Sequence, residues 1–385
     1  MTSNLLSFVS EFGGFRMAIE LSNVTFTNRA DVVPASGVEE ILNTGIANTL
    51  GGNDIINGGT GNSISSPENR LSGVSNSGTL NTAEGNDIIN GTGNSISNTG
   101  NSISGIYNSG TINTGDGNDI IRGIRNQGED NFNNFDYDFG YGIYSDIGST
   151  IDTGDGNDLI TGISEARTGR GIETYYGTIN TGDGNDTITG TGNGYGISIH
   201  YGGIIDTGKG QDIITGVATD YGDGLSNFST LATGEGNDII TGTNTTGTGY
   251  GINNYFSDSI IDTGDGNDII TGMGGIGIYN DGTINTGNGV DSIIADGGFK
   301  GIGNVFLGNG KDYLKGFGSG NFNGENGKDA LELTSGSYTV GISGTTVNFT
   351  KGSIIMNTSG FEELIAGSTK YDFSRLTNGQ TIFVA

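Results

Sequence analysis

Residues 105–123 read GIYNSGTINTGDGNDIIRG. The stretch holds three short β-type pieces, GIYN, GTIN and NDII, parted by Gly and Asn, which supply the positive φ angles of tight turns. Its second half recurs as DTGDGNDLITG at 152–162, NTGDGNDTITG at 180–190 and DTGDGNDIITG at 262–272. Its first half recurs as GIETYYGTINTG at 171–182 and GIYNDGTINTG at 277–287. Aligned on the final acid, the series is Asp54, Asp87, Asp119, Asp158, Asp186, Asp212, Asp238, Asp268, Asp291, Asp312 and Asp329. Successive steps are 33, 32, 39, 28, 26, 26, 30, 23, 21 and 17 residues.

Pieces this short cannot close a core alone. Wound as coils, each strand pairs with its counterpart one coil on, and the Ile residues stack inside. The expected fold is all-β: a parallel β-helix or β-roll solenoid with about three short strands per coil and small β caps. At a rise of about 4.8 Å per coil, ten coils make a rod on the order of 50 Å long. A unit near 28 residues suits a three-sided coil, and the final steps of 21 and 17 predict narrowing to a two-sided roll toward the C-terminal end. The domains read as an N-terminal cap over 1–40, solenoid repeats over 41–330, and a C-terminal β cap over 331–385.

Composition agrees and excludes other classes. Gly accounts for 76 of 385 residues, far above its usual share. Only 32% of the chain is hydrophobic, so the core is thin and an ordinary globular domain of this length is excluded. With no Cys and one His, disulfide frameworks, thiolate nucleophiles and Cys- or His-rich metal centres are excluded. The net charge of −28 argues against nucleic acid. No run approaches 18 apolar residues, so no membrane span is expected.

The acidic turn T-G-D-G-N-D carries the functional reading. Two Gly bend the backbone so that carbonyls turn toward one point, and the final Asp adds a carboxylate there. Stacked about 5 Å apart, such turns place carboxylates close enough to repel. A hard divalent cation resolves this, and Ca²⁺ accepts six to eight oxygens with flexible geometry, whereas Mg²⁺ demands a tighter octahedron. Ten ions between eleven turns would move the net charge from −28 to about −8. The structural alternative is that each Asp caps its own turn. Asn would do that without repulsion, yet Asp holds the final position in all eleven turns.

These residues resemble the nonapeptide G-G-x-G-x-D-x-U-x of the RTX, or haemolysin-type, calcium-binding repeat family, with Thr usually in place of the first Gly. Complete sets are Gly115, Gly117, Asp119; Gly154, Gly156, Asp158; Gly182, Gly184, Asp186; and Gly264, Gly266, Asp268. Gly208, Gly210, Asp212; Gly234, Gly236, Asp238; and Gly287, Gly289, Asp291 keep both Gly and the acid, and Asp87 and Asp312 complete the expected metal residues. The resemblance covers roughly residues 45–330 and implies a secreted bacterial β-solenoid. Family members usually set nonapeptides in tandem on both edges of a roll. Here the acidic turn comes once per coil, which predicts one ion row. Second-edge candidates at 91–97 and 100–104 carry Ser95 and Ser102 where Asp is required, so no ion is expected there. Leu50, Ala83 and Glu325 replace the Gly that follows the Thr position, and Lys209 intrudes beside Asp212, which weakens those turns.

The opening MTSNLLSFVSEFGG lacks a basic n-region and reads as a poor cleavable signal. The tail resembles the uncleaved C-terminal signal region of RTX proteins exported by a one-step, type I transporter. Free Ca²⁺ is scarce in cytosol and plentiful outside, so coupled folding would follow export. The expected location is secreted or extracellular, in association with a cell surface.

Three further features bear on function. The insertion at 124–144 carries Phe132, Phe135, Tyr137, Phe139, Tyr141 and Tyr144 among acids: a loop folded over the rod, or a partner or glycan surface. The Thr before the motif Gly (Thr114, Thr153, Thr181, Thr207, Thr233, Thr263, Thr286) reads as coil filling rather than an ice-binding ladder. His200 reads as a lateral strand residue. The expected function is a calcium-binding, non-enzymatic solenoid with a structural, cell-surface or adhesive role. Its partners are calcium ions, with surface or matrix polysaccharide or self-association beside them. The alternative is a calcium-using parallel β-helix polysaccharide lyase or epimerase, which needs a basic residue beside bound carboxylates; no such cluster stands out.

Overall fold

The computed structural model describes residues 4–5, 18–33, 40–61, 70–94, 102–126 and 140–385. Three parallel sheets wrap a single hydrophobic column. Sheet I collects the strands that follow the acidic turn, such as Ile120–Asn126 and Leu159–Ser164. Sheet II collects strands such as Ser102–Asn108 and Gly140–Ser145, and sheet III the short strands such as Thr111–Asn113 and Thr150–Asp152. Each coil runs II, III, acidic turn, I. Every strand pairs with its counterpart one coil on, for example Ile121 with Ile89 and Ile160.

Each strand sends one aliphatic side chain inward. Ile121, Ile106 and Ile112 line one coil; Ile160, Ile143 and Ile151 line the next, all fully buried. Each such burial stabilises by about 1.5–3 kcal/mol, and stacking makes the contributions continuous along the rod. Beyond the Ile layer, sheets I and II meet backbone to backbone. A Cβ on Gly123 would stand 2.1 Å from the Gly142 carbonyl oxygen, and one on Gly142 2.2 Å from Ile163 N. Glycine pairs therefore pinch the coil, so the core is thin with few apolar residues.

The expected taper is present. Sheet II ends at Phe299–Lys300, while sheets I and III continue. From there the coil has two sides, and Phe299 and Phe322 fill the change of section with ring centroids 4.8 Å apart. The C-terminal end is closed by antiparallel strands Gly336–Ser343, Thr346–Lys351, Ile354–Ser359 and Thr381–Val384 over buried Tyr338 and Phe349. Within the segment read as an N-terminal cap, Ala18–Glu20 and Asp31–Val33 already lie in sheets II and I. Among the described residues, no helix is long and apolar enough to cross a membrane.

Candidate metal centre

The acidic turn links sheet III to sheet I and keeps one backbone shape throughout. The Gly after the Thr is left-handed, with φ between 76° and 82° at Gly115, Gly154, Gly182, Gly208, Gly234, Gly264 and Gly287. Leu50, Ala83 and Glu325 adopt the same conformation, at φ 73°, 66° and 64°. The weakness expected of those turns therefore lies in strain and not in a lost shape.

The second Gly is required by close approach. A Cβ on Gly184 would lie 1.5 Å from the carbonyl oxygen of Gly156 in the preceding coil and 3.3 Å from Asp186 Oδ1. The same holds at Gly210 against Gly184 and at Gly289 against Gly266. The carbonyl of one coil thus points at the Cα of the next coil's Gly, a C–H···O contact, and lies within about 5 Å of that coil's carboxylate. The N–H bonds of this corner run elsewhere: Gly156 N donates to Asp183 O, and Gly184 N to Lys209 O.

The final Asp residues form one continuous column. Each backbone N–H donates to Oδ1 of the Asp one coil on: Asp87 to Asp119 at 2.7 Å, Asp119 to Asp158, Asp158 to Asp186, and Asp186 to Asp212, each at 2.8 Å. The ladder continues through Asp238, Asp268, Asp291, Asp312 and Asp329. Every one of these carboxylates is buried. The capping alternative is thus half present, but the cap serves the neighbouring coil and uses a single oxygen. Oδ2 of Asp54, Asp87, Asp119, Asp158, Asp186, Asp212, Asp238, Asp268, Asp291, Asp312 and Asp329 is buried with no hydrogen-bond partner.

Two ends were not foreseen. Asp31 opens the column, donating to Asp54 Oδ1 at 2.7 Å while its own carboxylate accepts from Thr27 N and Oγ1. Glu362 closes it, with Oε2 2.7 Å from Asp329 N. Asp31 lacks the Gly frame, though its D-V-V repeats the acid-then-aliphatic order; nothing in the sequence around Glu362 marks it.

A second ladder lies one residue earlier on the outer surface. Asn157 N donates to Asn118 Oδ1 at 2.7 Å, and Asn185 N to Asn157 Oδ1 at 2.8 Å. Asn here performs the side-chain-to-backbone task without charge. An ionised carboxylate is therefore unnecessary for stacking, and its presence in the buried column requires another reason.

Burial raises these carboxyls far above the ordinary range: to about 6 in Asp87, Asp119, Asp158, Asp212, Asp238 and Asp268, and to about 7 in Asp186, Asp291 and Asp329. Hydrogen bonding by the preceding Asp amide pulls the other way, and neighbouring carboxylates add a smaller upward push. Two charges one coil apart repel by about 3 kcal/mol at an effective dielectric of 20. Burial and mutual repulsion therefore both oppose ionisation of the column.

Its donors are all oxygen: an unpartnered carboxylate oxygen per coil, with Gly carbonyls bordering it. Hard cations fit such a set, Ca²⁺ above Mg²⁺ because six to eight flexible contacts suit carbonyls from two turns. Among the described residues, no three His, Cys, Asp or Glu side chains converge on one point. An ion here would take carboxylates from successive coils and complete its shell from backbone oxygens.

The remaining expectations find their places. Thr114, Thr153 and Thr181 are fully buried, and their hydroxyls donate to the next coil's Thr carbonyl. They fill the coil and face no solvent. Positions 91–94 lie within the sheet I strand Ile88–Asn94 and 102–104 within the sheet II strand Ser102–Asn108; 95–101, with Ser95, lie outside the described residues. Most of the 124–144 insertion, including Phe132, Phe135, Tyr137 and Phe139, lies outside the described residues. His200 ends the strand Tyr195–His200 and stacks on Phe228 at 4.4 Å. Burial, with help from Arg170, pushes its pKa down to about 4.

No protein-family model matches the chain, and no curated protein matches it by sequence. Among solved structures, the chain is similar to the crystal structure of a hyperactive, Ca²⁺-dependent, β-helical antifreeze protein from an Antarctic bacterium. The TM-score is 0.47 at 15% identity, over 94% of this chain and 96% of that one.

Proposed function

We propose that the protein is a calcium-loaded structural solenoid, holding one row of Ca²⁺ along the column that runs from Asp54 to Asp329. The observation that carries this reading is the line of buried carboxylate oxygens without partners, one per coil. When bound, the ions supply positive charge where burial and mutual repulsion otherwise oppose ionisation. The chain supplies carboxylates on a fixed pitch, carbonyls held against them by the close Gly contacts, and a hydrogen-bonded register that keeps successive acids aligned.

Binding energy then becomes folding energy. In low-calcium cytosol the column stays charged and the coils fail to stack; outside the cell, ions fill it and the rod forms. This coupling supports an extracellular, cell-surface or matrix role, adhesive or scaffolding in character. A non-catalytic role is proposed as well. His200, the chain's one histidine, is stacked on Phe228 and held neutral, so it is a poor proton acceptor beside any bound acid.

Two measurements test the reading. Circular dichroism is recorded at pH 7.5 with excess chelator and after calcium addition, and bound calcium is counted by equilibrium dialysis with elemental analysis. The expected result is loss of β signal in chelator, recovery on calcium addition, and several ions per chain. Full β structure in chelator with no calcium uptake overturns it. A new unsaturated-sugar absorbance on acidic polysaccharides would overturn the non-catalytic part.

A further inference from the structure

A strip of aromatic rings crosses five successive coils at the corner between sheets II and III. Tyr176 stacks on Tyr201 with centroids 6.0 Å apart; Tyr201 lies 6.5 Å from Phe256; Phe256 and Tyr255 lie 5.6 and 5.5 Å from Phe228; and Tyr255 stacks on Tyr279 at 6.0 Å. Tyr176, Tyr201 and Tyr255 are nearly half exposed, at 49%, 48% and 45%. On a chain of charge −28, these contacting rings form one contiguous exposed aromatic patch.

The backbone beneath the strip is also unusual. Tyr176 and Tyr201 occupy equivalent turns at φ 54° and 43°. Bulky residues in that region are outliers, since Gly, Asn or Asp would occupy it at less cost. Gly177 and Gly202 follow directly, so small residues are in use at these corners and the tyrosines are there despite strain. Strain of this kind clusters at ligand-binding sites.

We infer that this strip is a binding track for a neutral polysaccharide chain lying along the solenoid axis. It rests on the surface or matrix role proposed above, to which it adds the ligand class and the residues. Three observations select that occupant. Each of the five coils contributes at least one ring and the coils rise about 4.8 Å apart, near the advance per residue of an extended hexose chain, so successive sugars can meet successive rings. The strip is about 19 Å long and at most two rings wide, roughly 200–300 Å², far below the roughly 800 Å² per partner of a stable protein interface. Of the acids beside it, exposed Asp258 can take hydrogen bonds from sugar hydroxyls, while half-buried Asp281, which accepts from Tyr279 Oη at 2.6 Å and from Ile302 N at 2.9 Å, adds negative charge that repels polyanions.

The test is affinity electrophoresis of the full chain in calcium through gels containing hydroxyethylcellulose, xyloglucan, galactomannan or laminarin, with polygalacturonate as the anionic control. The variants are Tyr176→Gly with Tyr201→Gly, which relaxes the two turns and so preserves folding, and separately Phe256→Ala. Circular dichroism and calcium content are measured on the same samples, and sedimentation reports association. The expected result is retardation by at least one neutral polymer, none by polygalacturonate, and at least tenfold weaker binding in the glycine variant with the β signal intact. Folded protein that no neutral polymer retards overturns the inference, as does retardation unchanged in both variants. Self-association that the variants abolish overturns it in favour of a protein interface. A folded, calcium-free protein that still binds the polymer would sink the calcium reading and leave this one standing.

Discussion

The backbone amide of Asp186 donates to Oδ1 of Asp212 at 2.8 Å, while Oδ2 of Asp212 is buried without a partner. The two oxygens of one carboxylate therefore have separate jobs, and Asp212→Asn separates them. Asn keeps the Oδ1 acceptor and removes the charge. In chelator at pH 7.5 the variant should be more stable than the parent by about 1–3 kcal/mol, because a buried ionised group is gone. In millimolar calcium it should be less stable by about 1–2 kcal/mol and bind fewer ions. Thermal melts in calcium check the second sign, and in chelator the pH at which β signal disappears on raising pH from 5 checks the first, the variant keeping its signal to higher pH. The same sign in both would mean that Oδ2 holds nothing.

The raised carboxyls also set a pH dependence for the metal-free protein. Unfolded Asp titrates near 3.9, whereas most column acids titrate at about 6 to 7 when folded. The folded state therefore holds more protons across that window. The resulting stability is fully present below about pH 4 and is lost as pH rises through 6 to 7. His200 works the other way, its contribution being lost as pH falls from about 6.5 to about 4, but it is one group against a column. In chelator, the melting temperature should fall steadily as pH rises from 4.5, until the β signal is gone by about pH 7.5. With calcium, protons compete for the same oxygens and the trend should flatten or reverse. A chelated protein that melts higher at pH 8 than at pH 5 would contradict the burial of ionisable acids.

Close approach makes a sharper prediction at the glycines. Gly210 has φ 152°, and a Cβ there would stand 1.3 Å from the Gly184 carbonyl oxygen. Gly148 has φ 70°, with nothing within 4 Å of the same position. Gly148→Ala should cost about 1 kcal/mol of backbone strain alone. Gly210→Ala must push two coils apart and should cost about 3 kcal/mol or more. It should also lower calcium stoichiometry, since the displaced carbonyl borders the acid column. Denaturant melts with ion counting distinguish the two variants.

Much of this was legible because a solenoid repeats its essentials in one dimension. The invariant final Asp marks the column, the inward Ile marks each sheet, and the shortening steps after Asp268 mark the loss of sheet II at Phe299–Lys300. What escaped was lateral. The Asp amide bonds to the acid of the next coil, a relation between residues 17 to 39 apart that no local pattern displays. Asp31 and Glu362 join the column by position, without motif. The aromatic strip was hidden because coil length varies: Tyr176, Tyr201, Phe228 and Phe256 sit in turns of different length and become neighbours only through strand register. Buried Asn ladders at the II to III corner, such as Asn76 to Asn108 at 2.7 Å and Asn227 to Asn254 at 2.9 Å, stayed hidden for the same reason.

The departures from the Gly frame supply the last test. Ala83 stands where Gly115 and Gly154 stand in later coils and shares their left-handed backbone, at φ 66°. The turn is thus imposed on Ala83 by its surroundings: Thr82 N bonds to Asn113 O, Gly85 N to Asp116 O, and Asp87 N to Asp119 Oδ1. Relief of that strain by Ala83→Gly should stabilise the folded state by up to about 1 kcal/mol, less the entropy that Gly adds to the unfolded chain. The net gain should be small in chelator and larger with calcium, because the ion rewards a turn whose carbonyls are free to settle. Glu325→Gly at φ 64° should follow the same pattern near the C-terminal end of the column. If Ala83→Gly destabilises in both buffers, unfolded-chain entropy outweighs the strain, and the departures from Gly are adapted positions rather than tolerated ones.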